Sequence, residues 1–245
     1  MSLTDKIEIP RRTMVLFFVI DTSGSMDGSK IGAVNTAIEE VIPAIREVSD
    51  ENADAQIKIA ALEFSSGARW ITSGGPVEAD QFRWNYLNAE GVTDFGAACK
   101  ALNDKLSTKA FMQEATGSFA PAVFLLSDGE PTDDWTRELA VLKKNNWFKA
   151  AVKVAIAIGD DANKDVLKEF TGSMEAVLET HNAATLKKMI KFVSVRASQV
   201  ASKSSNVNDT SNDLGDEQKQ QELNANLNEF AQEIAAAPDN DQSDW

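Results

Sequence analysis

The chain alternates between short runs that are apolar at every position and longer segments whose apolar residues recur three and four apart. Thr13–Asp21 is the first apolar run. Its Val, Ile and Phe content, with no polar face, predicts a central strand of a parallel sheet. Ile31, Val34, Ile38, Val41, Ile42, Ile45 and Val48 then fall at helical spacing and predict a helix over about 29–48, with Pro43 expected to kink or split it. Gln56–Phe64 alternates as a second strand. Its continuation, Ala68–Ile71, is expected to pair near Gln81–Trp84 across the Ser73–Pro76 turn. A helix beyond Gly96 turns Ala97, Ala98, Leu102 and Leu106 inward. Ala122–Leu126 and Val152–Ile158 are further buried strands, with helices expected over about 135–144 and up to Phe170. Glu175–Leu178 reads as a short edge strand. Ala183–Ser198 reads as the last core helix, packing through Leu186, Met189, Ile190 and Val193.

Strands alternating with helices predict an α/β fold, a mostly parallel sheet with helices on both faces. Ligands of such sheets bind beyond the carboxyl ends of the strands. Two strands end there in polar bursts, Asp21-Thr-Ser23-Gly-Ser25 after the first and Ser127-Asp128-Gly129 after Leu126. Gly24 lets the backbone turn tightly enough for both serine hydroxyls to face one point. An acid with small hydroxyls suits a hard divalent cation. Thr93, in the Glu90–Gly96 loop, is the third contributor. Each segment alone also reads as a helix cap or turn. Of the nearby acids, Asp133 and Asp134 are expected to cap the helix at Trp135. Asp160 and Asp161 are expected in a loop, and Asp27 and Asp94 beside the motif.

Charge narrows the classes. The net charge of −14 argues against a nucleic-acid surface and against an anionic membrane. The Arg11-Arg12 pair precedes an apolar run of seven residues that stops at Asp21, too short for a membrane span and without a cleavage site, so a cytoplasmic protein is expected. Cys99 is the one cysteine and reads as a buried helix residue. His181, the one histidine, reads as a surface or loop residue. Residues 204–245 hold ten acids and one lysine, the composition of a tail. The expected organisation is a lead-in over 1–12, the α/β domain over 13–200, a linker over 201–216, an amphipathic helix over 217–237 and an acidic end over 238–245. Leu223, Leu227, Phe230 and Ile234 form one apolar stripe on that helix, which should fold only when the stripe is covered by its own domain or by a partner.

Together, Asp21-Thr-Ser23-Gly-Ser25, Thr93 in Gly91-Val-Thr93-Asp and Asp128 in Leu-Leu-Ser-Asp128-Gly resemble the metal-ion-dependent adhesion site (MIDAS) of von Willebrand factor type A (vWA) domains, in all five positions. The resemblance implies a doubly wound six-stranded sheet in the order 3-2-1-4-5-6 with one antiparallel edge strand. It implies Mg²⁺ or Mn²⁺ held directly by Ser23, Ser25 and Thr93, and through waters by Asp21 and Asp128. A protein partner would complete the shell with a Glu or Asp. Phe64-Ser-Ser-Gly-Ala, Gly-Val-Thr93-Asp-Phe-Gly96-Ala-Ala and the closing Leu186…Phe192-Val-Ser helix are similar to TerY-type proteins of bacterial tellurium-resistance and stress loci, which implies kinases and phosphatases as co-workers.

The rival class is an enzyme, a metal-dependent phosphohydrolase or a nucleotide-binding protein. Aspartate-nucleophile phosphatases need an acid two residues beyond the first aspartate, where this chain has Ser23. Gly24, Gly28 and Gly32 do not match a dinucleotide fingerprint, and Gly28-Ser-Lys30 reverses the order of a phosphate loop. The expectation is a metal-dependent protein-binding module without turnover.

Overall fold

β1 (Arg12–Asp21) lies in the middle of the sheet, and its side chains from Thr13 onward are buried on both faces. In the computed structural model, which describes residues 11–53, 55–113, 117–201 and 212–236, two apolar layers form on this one strand. Met14, Leu16, Phe18 and Ile20 point to one layer, and Val15, Phe17 and Val19 to the other. The period of two along a strand divides them. The first layer is filled from α1 (Ser29–Glu51) and α6 (Ala183–Ala201). The second is filled from α2 (Phe95–Lys105), α3 (Trp135–Leu142) and α5 (Lys164–Thr171).

β1 pairs in parallel with β2 (Ala55–Ser65) on one side and β5 (Ala122–Ser127) on the other. β6 (Val152–Ile158) and β7 (Val177–Thr180) continue in parallel beyond β5. Two short antiparallel strands, β3 (Gly67–Trp70) and β4 (Val77–Glu78), both pair with β2. The order β3-β2-β1-β5-β6-β7 is the expected doubly wound one, with β4 an addition. The expected partner strand near Gln81–Trp84 does not form. β3 folds straight back on β2 through Gly67, at φ +95°, and Val77–Glu78 pairs beside it.

Pro43 neither splits nor ends α1, which runs unbroken from Ser29 to Glu51. Pro43 is exposed, so the carbonyl it deprives of a donor is on the solvent side, while Val41, Ile42 and Ile45 hold the helix on the core. α3 stops at Leu142 rather than Lys144. A helix that the sequence pattern does not flag, α4 (Asn146–Ala150), follows because Asn145 Oδ1 accepts from Trp147 N and Phe148 N. β7 begins at Val177 rather than Glu175, because Met174–Ala176 form a 3₁₀ turn whose entry is capped by Ser173.

α7 (Asn212–Ala235) begins before the expected 217 and ends before 237. Residues 1–10 of the lead-in, 202–211 of the linker and 237–245 lie outside the described residues. α7 packs on α6. Leu223 and Leu227 are fully buried, and the Phe230 ring stacks on Phe192 with centroids 3.9 Å apart and planes 4° from parallel. The Gln220 side-chain amide accepts from Lys153 N at 2.8 Å and donates to Lys153 O at 3.1 Å. It thereby pairs the stretch of β6 that extends past the start of β7, whose first partner is Ala155. Among the described residues no helix is long and apolar enough to cross a membrane.

Candidate metal centre

The carboxyl ends of β1 and β5 are adjacent, since Ile20 pairs with Leu126. Asp21 and Asp128 follow those residues, so the sheet brings together two carboxylates more than a hundred residues apart in sequence. Both are buried. Asp21 Oδ1 accepts from Ser23 N at 2.9 Å, which curls the loop back over the strand end. Asp21 Oδ2 accepts from Ser127 Oγ at 2.6 Å. Burial pushes the Asp21 carboxyl above its ordinary range and outweighs the hydrogen bonds from Ser127 and Ser23. The neighbouring charge of Asp128 pushes the same way.

A relay of oxygens joins the two ends. Ser23 Oγ lies 3.0 Å from Ser25 Oγ, and Ser25 Oγ donates to Asp128 Oδ1 at 2.7 Å. Thr93 enters from the loop before α2. Its N–H donates to Thr132 Oγ1 at 3.1 Å, and its carbonyl accepts from Thr132 N at 2.9 Å. Thr132, which sequence reasoning passed over, thus locks the Thr93 loop to the loop after β5. The β1 loop is tied to the Thr93 loop in turn, by Gly24 N donating to Gly91 O at 3.1 Å and Glu90 N to Thr22 O at 2.8 Å. Gly91 sits at φ +83°, where a Cβ would collide with Ser66 Oγ. A Cβ on Gly129 would stand 3.3 Å from Ser25 Oγ and 3.6 Å from Thr93 Oγ1, so the missing side chain keeps open the space between those hydroxyls.

Besides Thr132, three residues that sequence reasoning left unassigned or misassigned shape the site. Lys30, in the first turn of α1, places Nζ 2.6 Å from Asp128 Oδ2. Ser127 anchors Asp21. Asp133 does not cap the helix at Trp135. Its two oxygens accept from Gly96 N at 3.1 Å and Ala97 N at 3.2 Å, so it caps α2 and holds the Thr93 loop from behind. Asp134 precedes α3 without a side-chain cap bond and accepts from Thr136 Oγ1 instead. Asp94, expected beside the motif, accepts from Gly67 N at 2.8 Å and binds the loop to the β2–β3 turn; Asp27 is exposed.

The donor set fits a hard divalent ion. It offers hydroxyl and carboxylate oxygens and no sulfur or nitrogen, with neighbouring oxygens about 3 Å apart, as for ligands sharing one small cation. A positive group, the Lys30 ammonium, already sits against Asp128. Further along the same edge, Asp160, Glu179 and His181 form a separate group of ligand-type side chains.

The von Willebrand factor type A domain profile matches residues 16–194, and the chain belongs to that family. vWA domains are metal-binding modules of protein–protein interaction and generally lack enzymatic activity. Three solved structures show the fold. A von Willebrand factor type A protein from Catenulispora acidiphila is 20% identical, with a TM-score of 0.56, over 76% of this chain and 43% of its own. The ArnB paralog VWA2 from Sulfolobus acidocaldarius is 20% identical, with a TM-score of 0.53, over 74% and 44%. Proximal thread matrix protein 1 from the mussel byssus, in a form with a zinc-occupied MIDAS motif, is 19% identical, with a TM-score of 0.52, over 77% and 46%. The matched region thus spans under half the length of each of these proteins. No curated protein sequence matches the chain.

Proposed function

We propose that this chain is a divalent-cation-dependent protein-binding module without turnover of its own, its metal held at the β1/β5 edge. Ser23, Ser25 and Thr93 supply hydroxyl ligands to Mg²⁺ or Mn²⁺, and Asp21 and Asp128 act through waters. The observation that carries this reading is the Ser23–Ser25–Asp128 relay, with Oγ–Oγ at 3.0 Å and Oγ–Oδ1 at 2.7 Å, at the ends of two adjacent parallel strands. Neutral hydroxyls leave the ion short of negative charge. The bound ion supplies Lewis acidity toward one more anionic oxygen, and a Glu or Asp of a protein partner fits. Ser25, Gly24 and Gly91 are exposed around this edge, as partner access requires. The resemblance to TerY-type proteins supports a cytoplasmic scaffold of a tellurium-resistance or stress-response complex, with a kinase or phosphatase as the partner class.

Calorimetry with MgCl₂ and MnCl₂ tests the metal. One ion should bind the wild type, and Ser25→Ala should weaken it at least ten-fold. Equal heats for the two proteins would remove the site. Partner capture with and without EDTA tests the module, and capture that survives EDTA would overturn metal-dependent binding.

A further inference from the structure

The three side chains Asp160, Glu179 and His181 stand outside the hydroxyl site, at the carboxyl ends of β6 and β7, the edge of the sheet away from β1. Glu179 and His181 are two apart at the end of β7, so the strand's period of two puts both on one side. Asp160 reaches them from the neighbouring strand. Ile158 pairs with Thr180, Gly159 N donates to Thr180 O at 2.7 Å, and Gly159 at φ +84° turns the chain so that Asp160 comes alongside the imidazole.

One nitrogen of His181 and one oxygen from each carboxylate lie within 4.8 Å of one another. His181 Nδ1 is 2.8 Å from Asp160 Oδ1, and Nε2 is 3.7 Å from Glu179 Oε1. Two donors each about 2.1 Å from a single ion stand roughly 3.0–3.4 Å apart. An ion takes one of the two ring nitrogens, and Nδ1 with Asp160 Oδ1, 2.8 Å apart, comes near that separation, with the Glu179 carboxylate as the third ligand close by. The second observation concerns Nδ1 itself. This atom is shielded from solvent and makes no hydrogen bond, while the Asp160 oxygen lies 2.8 Å from it and the His181 side chain as a whole is 38% exposed. A polar atom buried without a hydrogen bond costs free energy, and coordination satisfies it without hydrogen-bond alignment. Glu179 is shared, since its Oε2 is 2.5 Å from Lys164 Nζ while Oε1 faces the imidazole. Lys164 therefore competes for this carboxylate and weakens the site without closing it.

We infer that Asp160, Glu179 and His181 form a second metal site, selective for borderline divalent ions such as zinc, cobalt or nickel. The selectivity follows from the donors. An imidazole nitrogen with two carboxylates favours the later first-row metals, whereas Mg²⁺ prefers an all-oxygen shell with several waters. The chain thus carries two sites of different hardness on one sheet edge. Three protein ligands leave further positions open on the ion, for water or for a donor from a bound molecule.

His181 is the sole histidine, so its imidazole gives an isolated ¹H–¹⁵N signal in the full-length protein. Zinc is titrated into wild type and Ser25→Ala, both in excess MgCl₂. The imidazole signals should shift and saturate near one equivalent in both proteins, which separates this site from the hydroxyl site. Calorimetry should show the same step weakened at least ten-fold in His181→Gln and in Glu179→Gln, with unchanged circular dichroism. Imidazole signals unmoved by zinc, a shift that disappears in Ser25→Ala, or unchanged affinity in the two variants would each overturn the inference. Failure here leaves the hydroxyl site untouched, because that site is read from magnesium binding and from Ser25→Ala.

Discussion

Lys30 Nζ stands 2.6 Å from Asp128 Oδ2, an ion pair whose acid side chain is fully buried and whose lysine side chain is 14% exposed. Lys30 is in the first turn of α1, where the helix dipole disfavours a cation, so the contact with Asp128 is what holds it there. Any divalent ion drawn to Asp128 competes with this internal cation. Removing Lys30 should therefore act in opposite directions on the two states. Lys30→Met leaves a buried carboxylate unpaired and should cost roughly 3 kcal/mol in EDTA. The same variant should bind Mg²⁺ about ten-fold more tightly and gain more in melting temperature from it. Thermal melts with and without MgCl₂ check this, and a smaller magnesium-induced shift in Lys30→Met than in wild type would contradict it.

Asp21 presents the reverse case. Its carboxyl is buried beside Asp128; burial first, and the Asp128 charge with it, disfavour the charged form and raise its pKa. Asn has the same shape without the charge. Asp21→Asn should therefore be more stable than wild type in EDTA at neutral pH, and should lose the magnesium-induced stabilisation. Urea denaturation in EDTA and in MgCl₂ measures both effects. A variant destabilised under both conditions would contradict the prediction.

α7 should depend on its buried stripe. Leu223 and Leu227 are wholly enclosed against α6 and the sheet. Replacing either with Ala should cost about 2–5 kcal/mol, and the pair together should release the helix. Hydrogen exchange along residues 217–235 would then lose protection while β1 and β5 keep theirs. Protection retained in the double variant would show that the Phe192–Phe230 stack and the Gln220 amide suffice to hold α7.

Cys99 faces the layer beneath α2 and is buried, and burial pushes its thiol well above the ordinary range, with the charges of Asp133 and Glu138 adding to the shift. A raised thiol pKa keeps the sulfur protonated at neutral pH, where the neutral form is a poor nucleophile. Native protein should therefore resist alkylation by iodoacetamide at pH 8 and react at one equivalent once denatured. Full labelling of the native protein would contradict this placement.

The sequence by itself determined the layered plan and the chemistry of one edge. Runs such as Met14–Ile20 and Val123–Leu126 are apolar at every position, as strands covered on both faces are, so with the strand–helix alternation a parallel sheet with helices on both faces was legible without coordinates, and the resemblance added its doubly wound order. Asp21, Ser23 and Ser25 are local to one turn, and their convergence follows from spacing alone. What lies between elements was not legible. Asp133 reads as the cap of the helix that follows it, yet caps α2, because β5 and the Thr93 loop meet in space. Lys30 carries no local signal of a site role, and only β5 sets Asp128 beside it. Asp160 and His181 become neighbours only through the pairing of β6 with β7. Periodicity records which face of an element is covered, and it records nothing of which partner covers it. Tertiary packing alone decided those meetings, because a contact between distant residues depends on how elements stack and not on the local order of side chains.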